Sequence, residues 1–411
     1  MAPQKRAGLG IAVASAVLVA LVTLTPTVAT TPSESRPQLF CILCGELGTV
    51  DFILNLALFI PLGAGLRLAG LRPRRALIAI FASTFLVELL QLQIVPGRDA
   101  SLGDLLANTL GGIIGVTAAD RWRRLLQPRP RQARMLAIVA AGLCLAMLAL
   151  TAWGLDRSLP EGRYWGQWRR LPGGSLRFGG VVLGAELNGR PLPATLLQWD
   201  DPAILAIHGD SLTISATILP GPPTRRVASI ASVGADPSHR LIVLAQRRED
   251  FVFRIRLRAS ELLLRSPSFG IPGVLSDSDN GVAQPVRLQG SYFPERVSLR
   301  ADQAAVNVPL TVGMGWSFLV PVELAIGRWA SAVSALWLAM LFLPLAYWAT
   351  KGWRVTGWTV PMLVAVVGLA LFPLSKTVAA TSPLEWLGVV VGIAAGVLLA
   401  RSSREEPVTI G

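Results

Sequence analysis

Eight polar residues stand out in a stretch that is otherwise apolar. Asp51 and Asn55 are four residues apart, Glu88 and Gln91 three apart, and Asp104 and Asn108 four apart; Arg98 and Asp99 lie between the last two pairs. On a helix, spacings of three or four place both members of a pair on one face. Two carboxylates beside an arginine are a set that can move a proton or hold a polar group of a ligand. Glu88, Arg98 and Asp104 are therefore the catalytic candidates, with Asp51, Asn55, Gln91, Asp99 and Asn108 as binding or polar-site residues. Glu88 carries the most weight, because an acid inside an apolar span is costly unless it faces protein or water. Arg98 is the nearest cation for Glu88 and Asp104. Each residue also has a purely structural reading. Asp104 follows a glycine at a helix start, where a carboxylate caps amides, and Asp51 has the same option. Asn108 and Gln91 can link helices. No nucleophile is fixed beside the acids, so a working site and a set of packing groups both stand at this stage.

The elements that must position these residues are membrane helices. Of 411 residues, 52% are hydrophobic and only 15% charged, and the mean hydropathy is +0.53. A soluble chain carries nearer a quarter charged residues. Apolar stretches at 8–24, 52–70, 76–94, 103–119, 135–153, 329–349, 357–375 and 383–400 predict about eight transmembrane helices. The first of these is expected as a retained helix rather than a cleaved signal peptide, being long for the latter. The net charge of +13 does not point to nucleic acid, because the basic residues cluster in short loops beside the apolar helices. If the N-terminus is inside, Lys5, Arg6, Arg72, Arg74, Arg75, the six arginines of 120–134, Lys351, Arg354, Arg401 and Arg404 all fall on the cytoplasmic side. Only Arg36, Arg98 and Lys376 fall on short outer segments. That bias predicts both termini in the cytoplasm of a bacterial inner membrane protein. It also brings the eight polar residues to the outward end of helices two to four.

Between the fifth and sixth spans the pattern changes to short strands, at 175–184, 211–220, 225–234, 239–248, 250–259, 285–293 and 295–310. Phe251, Phe253, Ile255 and Leu257 alternate with Val252, Arg254, Arg256 and Arg258, as in a half-buried antiparallel strand. Many short strands with Gly/Pro turns predict a β-sandwich. The fold class is thus a polytopic α-helical membrane protein with an inserted extracytoplasmic β-sandwich. Its expected parts are a four-helix membrane domain over 1–125, a basic cytoplasmic loop with the fifth helix over 126–158, the sandwich over 159–325, and three C-terminal helices with a short tail over 326–411.

Gly111 and Gly115, and Gly388, Gly392 and Gly396, repeat at four-residue intervals, the spacing of close helix packing. Cys41 and Cys44 fall outside the membrane and can pair there; their CxxC spacing lacks the βαβ context of a redox motif. Cys144 lies in an apolar helix. The cysteines and histidines make no metal pattern, and neither a nucleotide loop nor a dinucleotide fingerprint occurs, so no metal or cofactor is expected. Asp277, Asp279 and Asn280 read as a solvated turn in preference to a calcium site.

Residues 51–115 resemble the VanZ-like membrane family, whose best-known member is associated with teicoplanin resistance. The family pattern runs Asp–x3–Asn–x3–Phe–x–Pro–x–Gly, matched here by Asp51, Asn55, Phe59, Pro61 and Gly63. A Glu–x2–Gln pair follows, matched by Glu88 and Gln91. The pattern closes with an Arg and Asp–x3–Asn–x2–Gly–x3–Gly, matched by Arg98, Asp104, Asn108, Gly111 and Gly115. The resemblance covers the first four helices and implies a cell-envelope membrane protein linked to glycopeptide tolerance, without supplying a reaction. Residues 160–320 are similar, more weakly, to concanavalin A-like or laminin-G-like modules, which implies a glycan or protein ligand.

Three functions follow in order of support. The first is a non-enzymatic envelope protein that anchors in membrane lipid and binds a cell-surface glycan or other envelope component through its outer domain. The second is an enzyme acting on a lipid-linked envelope substrate at the outer leaflet. The third is a transporter, disfavoured by the lack of inverted repeats.

Overall fold

The computed structural model describes residues 3–25, 40–93, 95, 101–159, 164–168, 178–192, 207–235, 240–276, 284–320, 327–353 and 356–403. The chain forms two compact units, Met1–Arg129 with Leu262–Leu264, and Pro130–Glu261 with Arg265–Gly411.

The first unit is four helices: α1 (Pro3–Thr23), α2 (Gly48–Leu68), α3 (Pro73–Gln93) and α4 (Leu102–Leu126). Val19, Phe59, Leu62, Ile80, Val87 and Val116 form their shared core. Helix α2 runs unbroken through Pro61. It packs on α4 through glycine. A Cβ at Gly111 would overlap the Leu56 carbonyl, one at Gly115 the Ile60 carbonyl, and one at Gly63 the Gly112 backbone. Lipid offers no hydrophobic driving force between helices, so close backbone approach of this kind is what holds them. The basic segment expected as a loop is mostly helix. Arginine is a good helix former, so α4 continues through Arg121, Arg123 and Arg124 to Leu126, and the next helix restarts at Pro130, leaving only residues 127–129 between them.

The second unit begins with α5 (Pro130–Gly154) and ends with α6 (Gly327–Gly352), α7 (Thr359–Ala365) and α8 (Pro383–Ser402). Among the described residues, seven helices are long and apolar enough to cross a membrane, namely α1 to α6 and α8. The expected eighth span is a shorter apolar helix, Thr359–Ser375. Helix α7 widens into a π-turn over Val366–Leu371 and tightens over Phe372–Ser375. Pro373 lacks an amide for the ladder, and Gly368 comes so close to Leu148 that a Cβ would overlap it. Helix α8 packs on α6 as α4 packs on α2: a Cβ at Gly388, Gly392 or Gly396 would overlap the carbonyl of Ala335, Ala339 or Leu343 respectively.

Between α5 and α6 the described residues form eleven strands in two antiparallel sheets. They are β1 (Trp165–Gln167), β2 (Val181–Leu187), β3 (Arg190–Pro191), β4 (Leu212–Leu219), β5 (Thr224–Gly234), β6 (Arg240–Arg248), β7 (Asp250–Ile255), β8 (Ser268–Ile271), β9 (Val286–Phe293), β10 (Arg296–Ala301) and β11 (Ala304–Pro309). Their orders are β1-β5-β6-β7-β8 and β11-β10-β9-β4-β2-β3. The alternation read from the sequence places Phe251, Phe253, Ile255 and Leu257 in the core. Gly290 of β9 lies against the Phe253 ring of the facing sheet, which makes the pair of sheets a sandwich. The segment 295–310, expected as one strand, is a hairpin. Asp302 takes a positive φ of 47° at the turn, a conformation Asp tolerates better than most residues. Its Oδ1 accepts from the Arg287 amide at 2.9 Å. The reading of 250–259 as one strand is also shortened, because a 3-10 turn begins at Arg258. Residues 175–177 and Asp277, Asp279 and Asn280 lie outside the described residues.

The sandwich leaves through a buried 3-10 turn, Val312–Phe318. Trp316 Nε1 donates to Ser334 Oγ of α6 at 3.0 Å. Thr311 Oγ1 donates to Glu385 Oε1, and Glu385 closes a capping box with Ser382 at the start of α8. A fully buried acid thus spends both oxygens on neutral donors, which identifies it as a structural tie between domain and helices. Tyr292 is buried nearby, donating to the Leu155 carbonyl at 3.3 Å; burial first, and then Asp156, pushes its phenol above the usual value.

Candidate functional site

The first unit gathers polar residues at the Gln93/Leu102 end of its helices. Ser101 is the N-cap of α4, its hydroxyl accepting from the Asp104 amide at 3.0 Å. The Ser101 amide in turn donates to Glu88 Oε2 at 3.1 Å. The N-cap is thus Ser101, and Asp104, whose position had suggested a capping role, lies in the first turn of the helix. Its carboxylate accepts from Asn55 Nδ2 of α2. Asn55, Asp104, Ser101 and Glu88 therefore form one chain of hydrogen bonds across α2, α4 and α3. Glu88 is only 9% exposed, and an amide is a natural donor for a carboxylate so placed.

Asn108 lies one turn further along α4 and is 1% exposed. Its Nδ2 donates to Thr84 Oγ1 at 2.8 Å, while Oδ1 has no hydrogen-bond partner among the described residues. Gln91 turns the other way and donates to the Thr23 carbonyl at the end of α1 at 2.9 Å. Asp51 sits exposed in the first turn of α2. Arg98 and Asp99 lie outside the described residues. Of the eight residues singled out by spacing, Asn55, Glu88 and Asp104 are joined in one chain, Asn108 lies a turn below, and Gln91 serves the α1 contact.

Cys41 and Cys44 are disulfide-bonded, and their loop rests on the start of α4. The Gly103 amide donates to the Cys41 carbonyl at 3.1 Å. A Cβ at Gly103 would overlap the Ile42 carbonyl, and one at Gly48 the Leu43 backbone. Glycine at both positions is what lets the disulfide loop sit against the turn that holds Ser101 and Asp104.

Residues 10–123 match the VanZ/LLP1 family. The chain is similar to that family over this part, less than a third of its length. The match spans all four helices of the first unit, and the motif residues of the resemblance fall on the contacts just described: Phe59 in the core, Gly63, Gly111 and Gly115 at the α2–α4 crossing, and Asn55, Glu88 and Asp104 in the hydrogen-bonded chain. No curated protein and no solved structure matches the chain.

Three further residues belong to the VanZ-like site and were missed by sequence reasoning. Thr84 precedes Glu88 by four residues and so shares its face of α3. Ser101 and Asp104 form an S-x-x-D pattern, a helix-start signature. Thr23 contributes only its carbonyl, which no side-chain pattern announces.

A second concave surface lies on the outer face of the six-stranded sheet. It is a groove of about 480 Å³ lined by Gln289, Ser291, Phe293, Arg296, Ser298, Arg300 and Asn307. The period of two along β9, β10 and β11 sends these side chains outward while Leu288, Tyr292, Val297 and Leu299 point to the core. Register places Ser298 beside Ser291 and Asn307. The Arg296 guanidinium stacks on the Phe293 ring, 4.8 Å from its centre. Arg287 is neutralised by Glu186 at 2.8 Å; among the described residues no acid pairs with Arg296 or Arg300.

Proposed function

We propose that this VanZ-like membrane protein binds an envelope glycan through the groove on its six-stranded sheet, with the helices as its anchor in the inner membrane. The observation that carries this reading is the groove itself. Hydroxyl-rich ligands need fixed donors and acceptors and an apolar face to lie on. Gln289, Ser298 and Asn307 supply the first, Phe293 the second, and Arg296 and Arg300 add attraction for a carboxylate- or phosphate-bearing sugar. The Thr213 hydroxyl donates to Ser291 Oγ at 2.9 Å, so part of the surface is pre-set.

Full-length protein in lipid nanodiscs is expected to retain isolated cell-wall glycan. Arg296→Ala with Arg300→Ala should weaken that retention at least about tenfold, since hydrogen bonds to a charged donor are worth roughly 1.5–3 kcal/mol. Arg225→Ala with Arg226→Ala removes the same charge from the other sheet and should change little. Equal losses in the two double variants, or no retention by the parent protein, would sink the reading.

The same reading puts the sandwich on the extracytoplasmic side of the membrane and both termini in the cytoplasm. Two features support that placement: the clustering of basic residues at alternate ends of successive helices, and a disulfide at Cys41–Cys44, a bond favoured in oxidising compartments. A reporter inserted near residue 240 should be accessible from outside and one near residue 127 from the cytoplasm. Finding both on one side would refute it.

The second reading is an enzyme acting on a lipid-linked envelope substrate at the Glu88 site. The specific observation in its favour is the chain from Asn55 through Asp104 and Ser101 to Glu88, above Asn108 Oδ1, which has no hydrogen-bond partner among the described residues. Either reading accommodates the glycopeptide tolerance that the VanZ resemblance implies. A transporter ranks last.

A further inference from the structure

At the opposite end of the VanZ-like unit, a groove of about 380 Å³ opens between the start of α3 and the last turns of α4. Its lining changes character along its length. Leu77, Ile113 and Val116 form one part, and Thr117, Arg121 and Arg124 the other. Spacings of three and four put the α4 residues on a single face. From Ile113 to Arg124 is eleven residues, roughly 16 Å along the helix axis, about the reach of a phospholipid headgroup and the upper part of its acyl chain.

The charge in this groove is not balanced locally. Asp120 also lines it but is held by Arg67, with Nε and Oδ1 2.6 Å apart. Among the described residues no acid pairs with Arg121 or Arg124. The positive end of α3 opens beside them at Pro73. Trp122, 41% exposed, carries Arg123 over its ring at 5.5 Å, and an exposed tryptophan at a helix end marks the level of the lipid headgroups.

We propose that this groove seats one anionic phospholipid, its phosphodiester on Arg121 and Arg124 and an acyl chain along Leu77, Ile113 and Val116. Charge complementarity selects the anionic class. A zwitterionic headgroup would bring its own cation toward two uncompensated arginines. The apolar lining distinguishes a lipid from a free phosphate, which would have no use for it.

The test is native mass spectrometry of the full-length protein released from mixed micelles of phosphatidylglycerol and phosphatidylcholine. The parent protein should keep one phosphatidylglycerol in preference to phosphatidylcholine. Arg121→Gln with Arg124→Gln should lower that occupancy at least about tenfold. Arg123→Gln with Arg131→Gln removes the same charge from outside the groove and should leave it unchanged. Ile113→Trp keeps both arginines and fills the apolar part, so it should also expel the lipid; this variant decides the matter if the arginine pair fails to fold. Equal retention of phosphatidylcholine, equal loss in the control pair, or unchanged occupancy in Ile113→Trp would each overturn the proposal.

Discussion

Glu88→Gln is expected to leave the protein folded and inserted while abolishing whatever the polar chain of the VanZ-like unit does, a loss of at least about 100-fold if the carboxylate acts in proton transfer. The Ser101 amide donates to Glu88 Oε2 at 3.1 Å, and a glutamine oxygen accepts the same bond. Packing and the α3–α4 link are therefore preserved, and only the charge and the exchangeable proton are removed. Asp104→Asn is the companion change. The Asn55 amide keeps an acceptor there, so this variant too should fold. Glu88→Ala differs in kind: it leaves the Ser101 amide without a partner in a largely buried position and should cost roughly 1–3 kcal/mol. The measurement is envelope-antibiotic tolerance in cells lacking the native gene and complemented with each variant, where deletion produces that phenotype, read beside the amount of folded protein in the membrane. Full complementation by Glu88→Gln at normal protein level would reduce the chain to helix-linking groups and leave the glycan reading in sole possession.

Gly115→Val is expected to prevent the VanZ-like unit from closing, at a cost of about 3 kcal/mol or more. A Cβ at Gly115 would overlap both the Ile60 carbonyl and the Ala64 amide. These are backbone atoms, with no rotamer to move out of the way, so α2 and α4 would have to separate. Separation would also pull Asn55 from Asp104. Overpacking a core typically costs 1–3 kcal/mol and more where the backbone is what must move. Gly142→Ala is the matched control. It also lies inside a helix, yet nothing stands within 4 Å of the added carbon. It should stabilise the protein slightly, by up to about 1 kcal/mol, because alanine is the better helix former. Thermal unfolding of the two purified variants in detergent, with the parent protein alongside, measures the difference. A Gly115→Val protein as stable as the parent would mean that the α2–α4 crossing is not packed as described.

The sequence alone determined the class of this protein and the order of its helical and β segments. Apolar stretches of membrane-spanning length mark the long helices, because burying twenty residues in lipid leaves little freedom of composition. Phe251, Phe253, Ile255 and Leu257 reveal a buried sheet face for a similar reason: a period of two has one structural meaning when one side is packed. The VanZ-like pattern picked out Asn55, Glu88 and Asp104, which three helices then bring together. What the sequence left open is what depends on partners distant along the chain. Whether Asp104 receives Asn55 is decided by the approach of α2, and that approach is decided by Gly111 and Gly115 meeting carbonyls 55 residues away. Thr84, Ser101 and the Thr23 carbonyl are ordinary residues until folding sets Asn108, Glu88 and Gln91 against them. The segment 357–375 is apolar enough to read as a full span, yet Gly368 against Leu148 and the missing amide of Pro373 make it a shorter, irregular helix. The two grooves are tertiary objects in the same sense. Arg296, Arg300 and Asn307 share a surface only through the register of β10 and β11, and Leu77 lines one groove with Arg121 only because α3 packs on α4. Local pattern specifies which residues seek burial, whereas close contact between distant segments specifies which polar atoms are left facing one another.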